Sequence, residues 1–258
     1  KRGRPVLGWG LGAPALHGFL AKPQEQARRK FIQKFDGMIA YSQRGADEYA
    51  ALGMPVDRIF IATNAVAPRP SQAYIERPDF FSGPPLVLFV GRLQARKRID
   101  NLLFACATLP VEKQPRLIVV GDGPDRPMFE KLAREVYPQA EFTGALHGED
   151  LAAIFRMADL FVLPGTGGLA VQQAMSYGLP VIVAQGDGTQ DDLVRPGNGW
   201  TIPPGDLPAL KVSLQKALED VAVLRKMGAE SYRIVSQEIN LERMVSSFIQ
   251  AATTVFTR

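Results

Sequence analysis

Histidine and cysteine are nearly missing from this chain of 258 residues, with two of the first and one of the second. His17 and His147 stand far apart, and no Cys/His/Asp ligand spacing accompanies them, which speaks against a metal site. The lone Cys106 forms no internal disulfide and suits a reducing compartment; its place in a helical apolar pattern reads as core. Long apolar runs are also lacking. The longest, Pro85–Val90 and Pro180–Ala184, are strand-length, well short of the roughly eighteen residues of a membrane span. Neither a start methionine nor a signal-peptide pattern precedes Val6, so the chain reads as a fragment whose earlier residues are missing. There is no G-x-S-x-G elbow and no G-x-x-x-x-G-K-[ST] loop, which removes most hydrolase and P-loop readings. Internal repeats and low-complexity tracts are absent too.

What is present is an ordinary globular composition, 46% apolar, with charge distributed unevenly. Lys1 to Arg44 carries nine basic and two acidic residues, a local +7, while the remainder sums to −3. Two readings of that basic segment stand: a solvated helix face, or a surface for anionic lipid or a lipid-phosphate acceptor. With no aromatic-basic platform or zinc motif beside the charge, nucleic acid is not an expected partner.

Apolar strand-length runs alternate with amphipathic stretches along the chain. The first part predicts strands at Val6–Trp9, Gly37–Ser42 and Arg58–Ala62, with helices at Pro23–Phe35 and Ala46–Leu52. Prolines 68, 70, 78, 84 and 85 then mark a linker. Beyond it, strands are predicted at Leu86–Val90, Arg116–Val120, Glu141–Thr143, Asp159–Leu163, Val181–Ala184 and Gly199–Ile202. Helices fall between them at Ile99–Leu109, Arg126–Val136, Asp150–Ala158, Leu169–Tyr177 and Gln190–Val194. Strands this apolar predict a parallel sheet covered on both faces. Three helices close the chain: Pro208–Asp220, Val221–Val235 and Leu241–Phe256. The expected division is 1–72 as the end of one α/β domain, 73–84 as linker and 85–235 as a complete doubly wound domain, with 236–258 as a final helix.

Three pieces lie at carboxyl ends of predicted strands, where open α/β sheets bind ligands. The first is Gly91-Arg92-Leu93 followed by Arg96-Lys97-Arg98; Arg92 and Lys97 leave and re-enter the same strand end and suit one diphosphate, against the plainer reading of a surface charge run. The second, Gly121-Asp122-Gly123-Pro124, lacks the third glycine of a dinucleotide fingerprint and reads as a tight turn lining the cleft. The third is Gly165, Thr166, Gly167 and Gly168, at a strand-to-helix handover where free N–H groups and the helix dipole favour an anion. In the helix that follows, Ala170, Val171, Ala174 and Met175 mark the buried face and leave Gln172 and Gln173 as polar neighbours.

Taken in order, FVGRL-x3-K (Phe89 to Lys97), VVGDGP (Val119 to Pro124), FTG (Phe142 to Gly144), ADLFVLP (Ala158 to Pro164), GL-x4-AMSYGLPVI (Gly168 to Ile182) and NGW-x2-PPGD (Asn198 to Asp206) resemble the nucleotide-sugar glycosyltransferases of family 4. The resemblance covers Leu86 to about Val235; Tyr41-Ser42 and Thr63 to Val66 resemble the end of the family's first domain more weakly. It implies an α/β chain of the GT-B fold, two Rossmann-like domains facing across a cleft, with most of the acceptor-binding domain preceding residue 1. The final helix would cross back onto that first domain.

Carried over residue by residue, the resemblance implies that Arg92 and Lys97 grip the diphosphate and that the N–H groups at Gly168 and Leu169 complete the cradle. Gly144, Ala145 and Leu146, with Gly121 nearby, would face the base. Transfer would run with retention and without metal or other cofactor, from a nucleotide-sugar donor to a glycan or lipid-linked acceptor, as in surface-polysaccharide assembly. The implied location is cytoplasmic, peripheral at the inner face of a membrane. Where the family usually has two glutamates eight positions apart, for the donor sugar and the ribose, this chain has Gly165 and Gln173. Gln173 still offers a ribose hydroxyl a hydrogen bond, and Thr166 stands beside the vacated sugar contact. A first-domain loop that often carries a histidine has Leu11 in Trp9-Gly10-Leu11-Gly12. These departures raise a second reading, a catalytically silent nucleotide-sugar-binding subunit; a sugar-nucleotide epimerase is a third.

Overall fold

The computed structural model describes residues 3–167, 169–186 and 189–257. By its contacts the chain divides into two compact units: Lys1–Arg69, Asp187–Asp192 and Glu238–Arg258 form one, and Pro70–Gly186 with Leu193–Gln237 form the other.

In the first unit, β1 (Leu7–Gly10), α1 (Ala21–Ile32), β2 (Gly37–Ala40), α2 (Gln43–Ala51) and β3 (Ile59–Ile61) follow one another. The strands pair in parallel in the order β1-β2-β3. β2, GMIA, is buried along its whole length, as the middle strand must be. α2 begins earlier than the apolar pattern predicts because the Ser42 hydroxyl accepts the Gly45 N–H at 3.0 Å, an N-cap that starts the helix at Gln43. α1 buries only Ile32, leaving Arg28, Arg29 and Lys30 beside an exposed Phe31.

The second unit runs β4 (Leu86–Val90), α3 (Ile99–Ala107), β5 (Arg116–Val120), α4 (Arg126–Val136), β6 (Glu141–Gly144), α5 (Gly148–Met157), β7 (Leu160–Leu163), α6 (Ala170–Ser176) and β8 (Val181–Ala184). After the short α7 (Thr189–Leu193) come β9 (Gly199–Ile202), α8 (Leu207–Glu219) and α9 (Val221–Gln237). All six strands are parallel, in the order β6-β5-β4-β7-β8-β9. Numbered within the sheet this is 3-2-1-4-5-6, a doubly wound arrangement whose order reverses between β4 and β7. β7 and β8 are buried at every residue, and β4 and β5 nearly so, because helices cover both faces. Cys106 lies fully buried in α3, and burial pushes its thiol far above the ordinary range, so it is core.

From Pro70 on, the proline-rich segment before β4 belongs to this second unit. Arg77 donates to the carbonyls of Phe155, Arg156, Tyr177 and Gly178, and the Pro78 carbonyl accepts from Arg225 Nε at 2.9 Å. Arg225 also pairs with Asp159 at 2.8 Å and lies over the Phe81 ring, while the other Asp159 oxygen accepts the Leu86 N–H at 2.8 Å. These groups gather at the amino ends of β4 and β7.

The last helix, α10 (Leu241–Phe256), is capped by Asn240, whose side chain accepts the Arg243 N–H at 3.0 Å. It packs on the three-stranded sheet, with Ala251 buried beside Ile39 and Ala62.

Candidate functional site

At the carboxyl end of β4 the chain turns through Gly91 and Arg92 and is fastened to the loop after β5. Gly91 N–H donates to the Val120 carbonyl at 3.0 Å, Leu93 N–H to the Asp122 carbonyl at 2.9 Å, and Asp125 N–H to the Leu93 carbonyl at 3.2 Å. The Asp125 carboxylate accepts the Ala95 N–H at 2.6 Å. Gly121 sits at φ +136°, and a Cβ there would lie 2.0 Å from the Gly91 carbonyl oxygen, so only glycine permits this approach. Its N–H donates to the Gly144 carbonyl at 2.8 Å, extending the fastening to β6.

The loop after β4 then meets the loop after β7 across the point where the strand order reverses. A 3-10 turn over Ala95–Lys97 points the Lys97 side chain inward, leaving the residue 5% exposed. Its ammonium donates to the Thr166 carbonyl at 2.8 Å and to the Gly167 carbonyl. In the other direction, Thr166 N–H donates to the Arg96 carbonyl at 3.2 Å, and Arg96 Nη1 reaches the Thr166 carbonyl at 3.4 Å. Burial, followed by the repulsion of Arg96, pushes the Lys97 ammonium down to about 8. It remains mostly charged near neutral pH.

Charge pairing separates these cations from their neighbours. Arg98 pairs with Asp100 at 3.0 Å, and Arg126 with Glu130 at 2.7 Å and Asp122 at 3.6 Å. Among the described residues, Arg92, Arg96 and Lys97 have no carboxylate within ion-pair distance. Such a cluster at the switch point of a doubly wound sheet is suited to hold an anion.

The residues expected to form the site fall into two groups. Lys97, Gly165, Thr166 and Gly167 come together at the ends of β4 and β7, with Gly121 fastened to Gly91, and Arg92 is exposed directly after Gly91 at the end of β4. Gly144 ends β6, at the edge of the sheet, and Ala145 and Leu146 follow it; Ala145 is exposed and Leu146 half-buried. Gly168 lies outside the described residues. Leu169 is exposed just before α6, and Gln173 is half-buried in that helix.

Two features went unread in the sequence. Gln172, paired there with Gln173 as a polar neighbour, is 2% exposed and belongs to the buried side of α6. Gly165 is more than a residue without a side chain. A Cβ on it would lie 2.1 Å from the Arg96 carbonyl oxygen and 2.5 Å from the Lys97 Cα, so the backbone of one loop occupies the space of a side chain on the other. The packing at Gly165 has no local signal, because it depends on β4 being the neighbour of β7. Among the described residues no group of three or more His, Cys, Asp or Glu is placed to hold a metal ion.

The chain is 36% identical over 142 residues to the sulfoquinovosyl transferase of Arabidopsis thaliana, covering 53% of this chain and 27% of that protein. It is 36% identical over 166 residues to the GDP-mannose-dependent alpha-mannosyltransferase of Mycobacterium tuberculosis, covering 61% of this chain and 42% of the other. The chain therefore spans less than half the length of these two relatives. In fold it is similar to HepE of Anabaena in complex with UDP, with a TM-score of 0.73 at 19% identity over 99% of this chain and 73% of that one. The sucrose-phosphate synthase of Thermosynechococcus elongatus gives 0.69 at 24% identity, over 94% and 64%. These likenesses are of fold alone and place the chain among α/β proteins of the GT-B type. Residues 71–234, more than half of the chain, match the family of glycosyl transferases group 1, and to that family the chain belongs.

Proposed function

We propose that this chain binds the donor in a retaining glycosyltransferase, which moves a sugar from a nucleoside diphosphate to a glycan or lipid-linked acceptor in polysaccharide assembly. The observation that carries the reading is the set of cations that have no carboxylate partners among the described residues at the switch point, with Lys97 joining its two loops. Arg92 and Lys97 hold the diphosphate, each contact contributing roughly 1.5–3 kcal/mol. When the bond from the anomeric carbon to the phosphate oxygen breaks, the electron pair goes to that oxygen, and the two cations stabilise the charge in place of a metal ion. The backbone at Gly144–Leu146, with Gly121 nearby, faces the base, Gln173 bonds the ribose, and Gly165, Thr166, Gly167 and Leu169 complete the cradle.

The basic first segment supports a peripheral site on the inner, cytoplasmic face of an anionic membrane. Phe19 is 99% exposed ahead of α1, and Phe31 is exposed beside Arg28, Arg29 and Lys30. No helix among the described residues is long and apolar enough to cross a membrane. Nucleic acid is not a partner in this reading.

The test is turnover by the full-length protein with lipid-extract acceptors, following the anomeric proton of the product by NMR. Retention of the donor's configuration is expected; inversion would contradict the reading. The close packing at Gly165 favours one alternative, a silent subunit that binds donor for a partner enzyme. Donor binding with neither transfer nor hydrolysis would select it.

A further inference from the structure

We propose that Arg96 selects donors whose transferred sugar carries an acidic group, a carboxylate or sulfonate, and disfavours their neutral counterparts. The inference rests on the donor-site reading above and adds the class of sugar to it. Among the described residues three cations at this strand end lack carboxylate partners, whereas the diphosphate of a nucleoside diphosphate sugar carries two negative charges. Arg92 and Lys97 match those two, and Arg96 is left over.

Arg96 is exposed, but its head is held in place. Nε donates to Gln94 Oε1 at 3.1 Å and Nη1 to the Thr166 carbonyl at 3.4 Å. A Cβ on Gly167 would lie 3.5 Å from the same Nη1 and 3.9 Å from Lys97 Nζ, so the guanidinium covers the turn that follows β7. Of its five N–H donors two are used among the described residues, and the rest keep the planar fork that suits a carboxylate or sulfonate.

The turn beneath it has no negative charge to offset Arg96. Gly165 has no room for an acidic side chain, since the Arg96 carbonyl and the Lys97 Cα occupy that space; Thr166 and Gly167 are neutral. The Asp125 carboxylate is engaged by the Ala95 N–H and stands outside ion-pair distance of Arg96. An acidic sugar beside this turn meets an oriented cation with spare donors. A neutral sugar leaves that cation unpaired.

The test is calorimetric titration of the chain with UDP-glucuronate against UDP-glucose, or GDP-mannuronate against GDP-mannose, according to which nucleoside diphosphate binds. The wild type is expected to bind the acidic donor at least tenfold more tightly than the neutral one. Arg96→Gln should remove most of that ratio, Arg96→Lys should keep part of it, and Arg96→Glu should reverse it. Equal affinity for acidic and neutral donors in the wild type would overturn the proposal. Equal weakening of both donors in Arg96→Gln would also overturn it, making Arg96 a third diphosphate contact. Failure of any nucleoside diphosphate to bind would be a different result, removing the donor site on which the inference rests.

Discussion

The six-stranded sheet carries cations at both of its ends and uses them in opposite ways. At the amino ends, Arg225 pairs with Asp159 and lies over Phe81, and Arg77 donates to four backbone carbonyls. These charges are consumed in fixing the segment before β4 to the strands it precedes. At the carboxyl ends, Arg92, Arg96 and Lys97 have no carboxylate partners among the described residues, and Lys97 is buried at a cost that lowers its affinity for its proton. Cations satisfied by the fold stabilise it, and cations left without counter-charge indicate where a ligand supplies one.

The largest loss of stability is expected at the amino ends. Asp159→Ala leaves Arg225 buried without its counter-ion, and chemical denaturation should show a loss of about 3–5 kcal/mol. At the carboxyl ends, Gly165→Ala forces the Arg96–Lys97 backbone away from the turn. It should cost about 1–3 kcal/mol in the same measurement and weaken nucleoside-diphosphate binding as the two loops part.

Arg92→Ala and Lys97→Met should each weaken nucleoside-diphosphate affinity at least tenfold, or about 1.4 kcal/mol, with little change in the denaturation midpoint. A fall in stability to match that of Asp159→Ala would erase the distinction between the two ends. The same lysine sets a pH dependence. Its ammonium loses its proton near 8 in the free protein, and a bound diphosphate raises that value, so binding takes up a proton over the interval between the two. Affinity should fall as pH rises through about 8, and Lys97→Met should flatten the profile. Gln173→Glu is the mildest change, and its affinity should stay within about threefold of wild type, in line with a half-buried position that tolerates charge.

Much of the second unit was legible in the sequence. β4, β5, β8 and β9 lie at the residues predicted, because continuous apolar runs between proline, glycine and charged residues leave little freedom of register. Helix ends shifted by a turn or less where a side chain competes with the pattern. α3 stops at Ala107 because Thr108 Oγ1 turns back to the Ala105 carbonyl, before Pro110. The prolines before β4 signalled the absence of regular structure, and they carried no information about the contacts that Arg77 and Arg225 make across more than seventy residues of chain. The site was legible as a set of motifs. That Lys97 and Thr166 touch, and that Gly165 has no room for a side chain, follows only from β4 and β7 being neighbours in the sheet.

The most direct measurement is calorimetric titration of the chain and of its Lys97→Met variant with UDP, GDP, ADP and phosphate at pH 7, with magnesium and with EDTA. One nucleoside diphosphate should bind the wild type equally well with either, and bind the variant at least tenfold more weakly. Binding that requires magnesium, or that survives loss of the lysine unchanged, would contradict it.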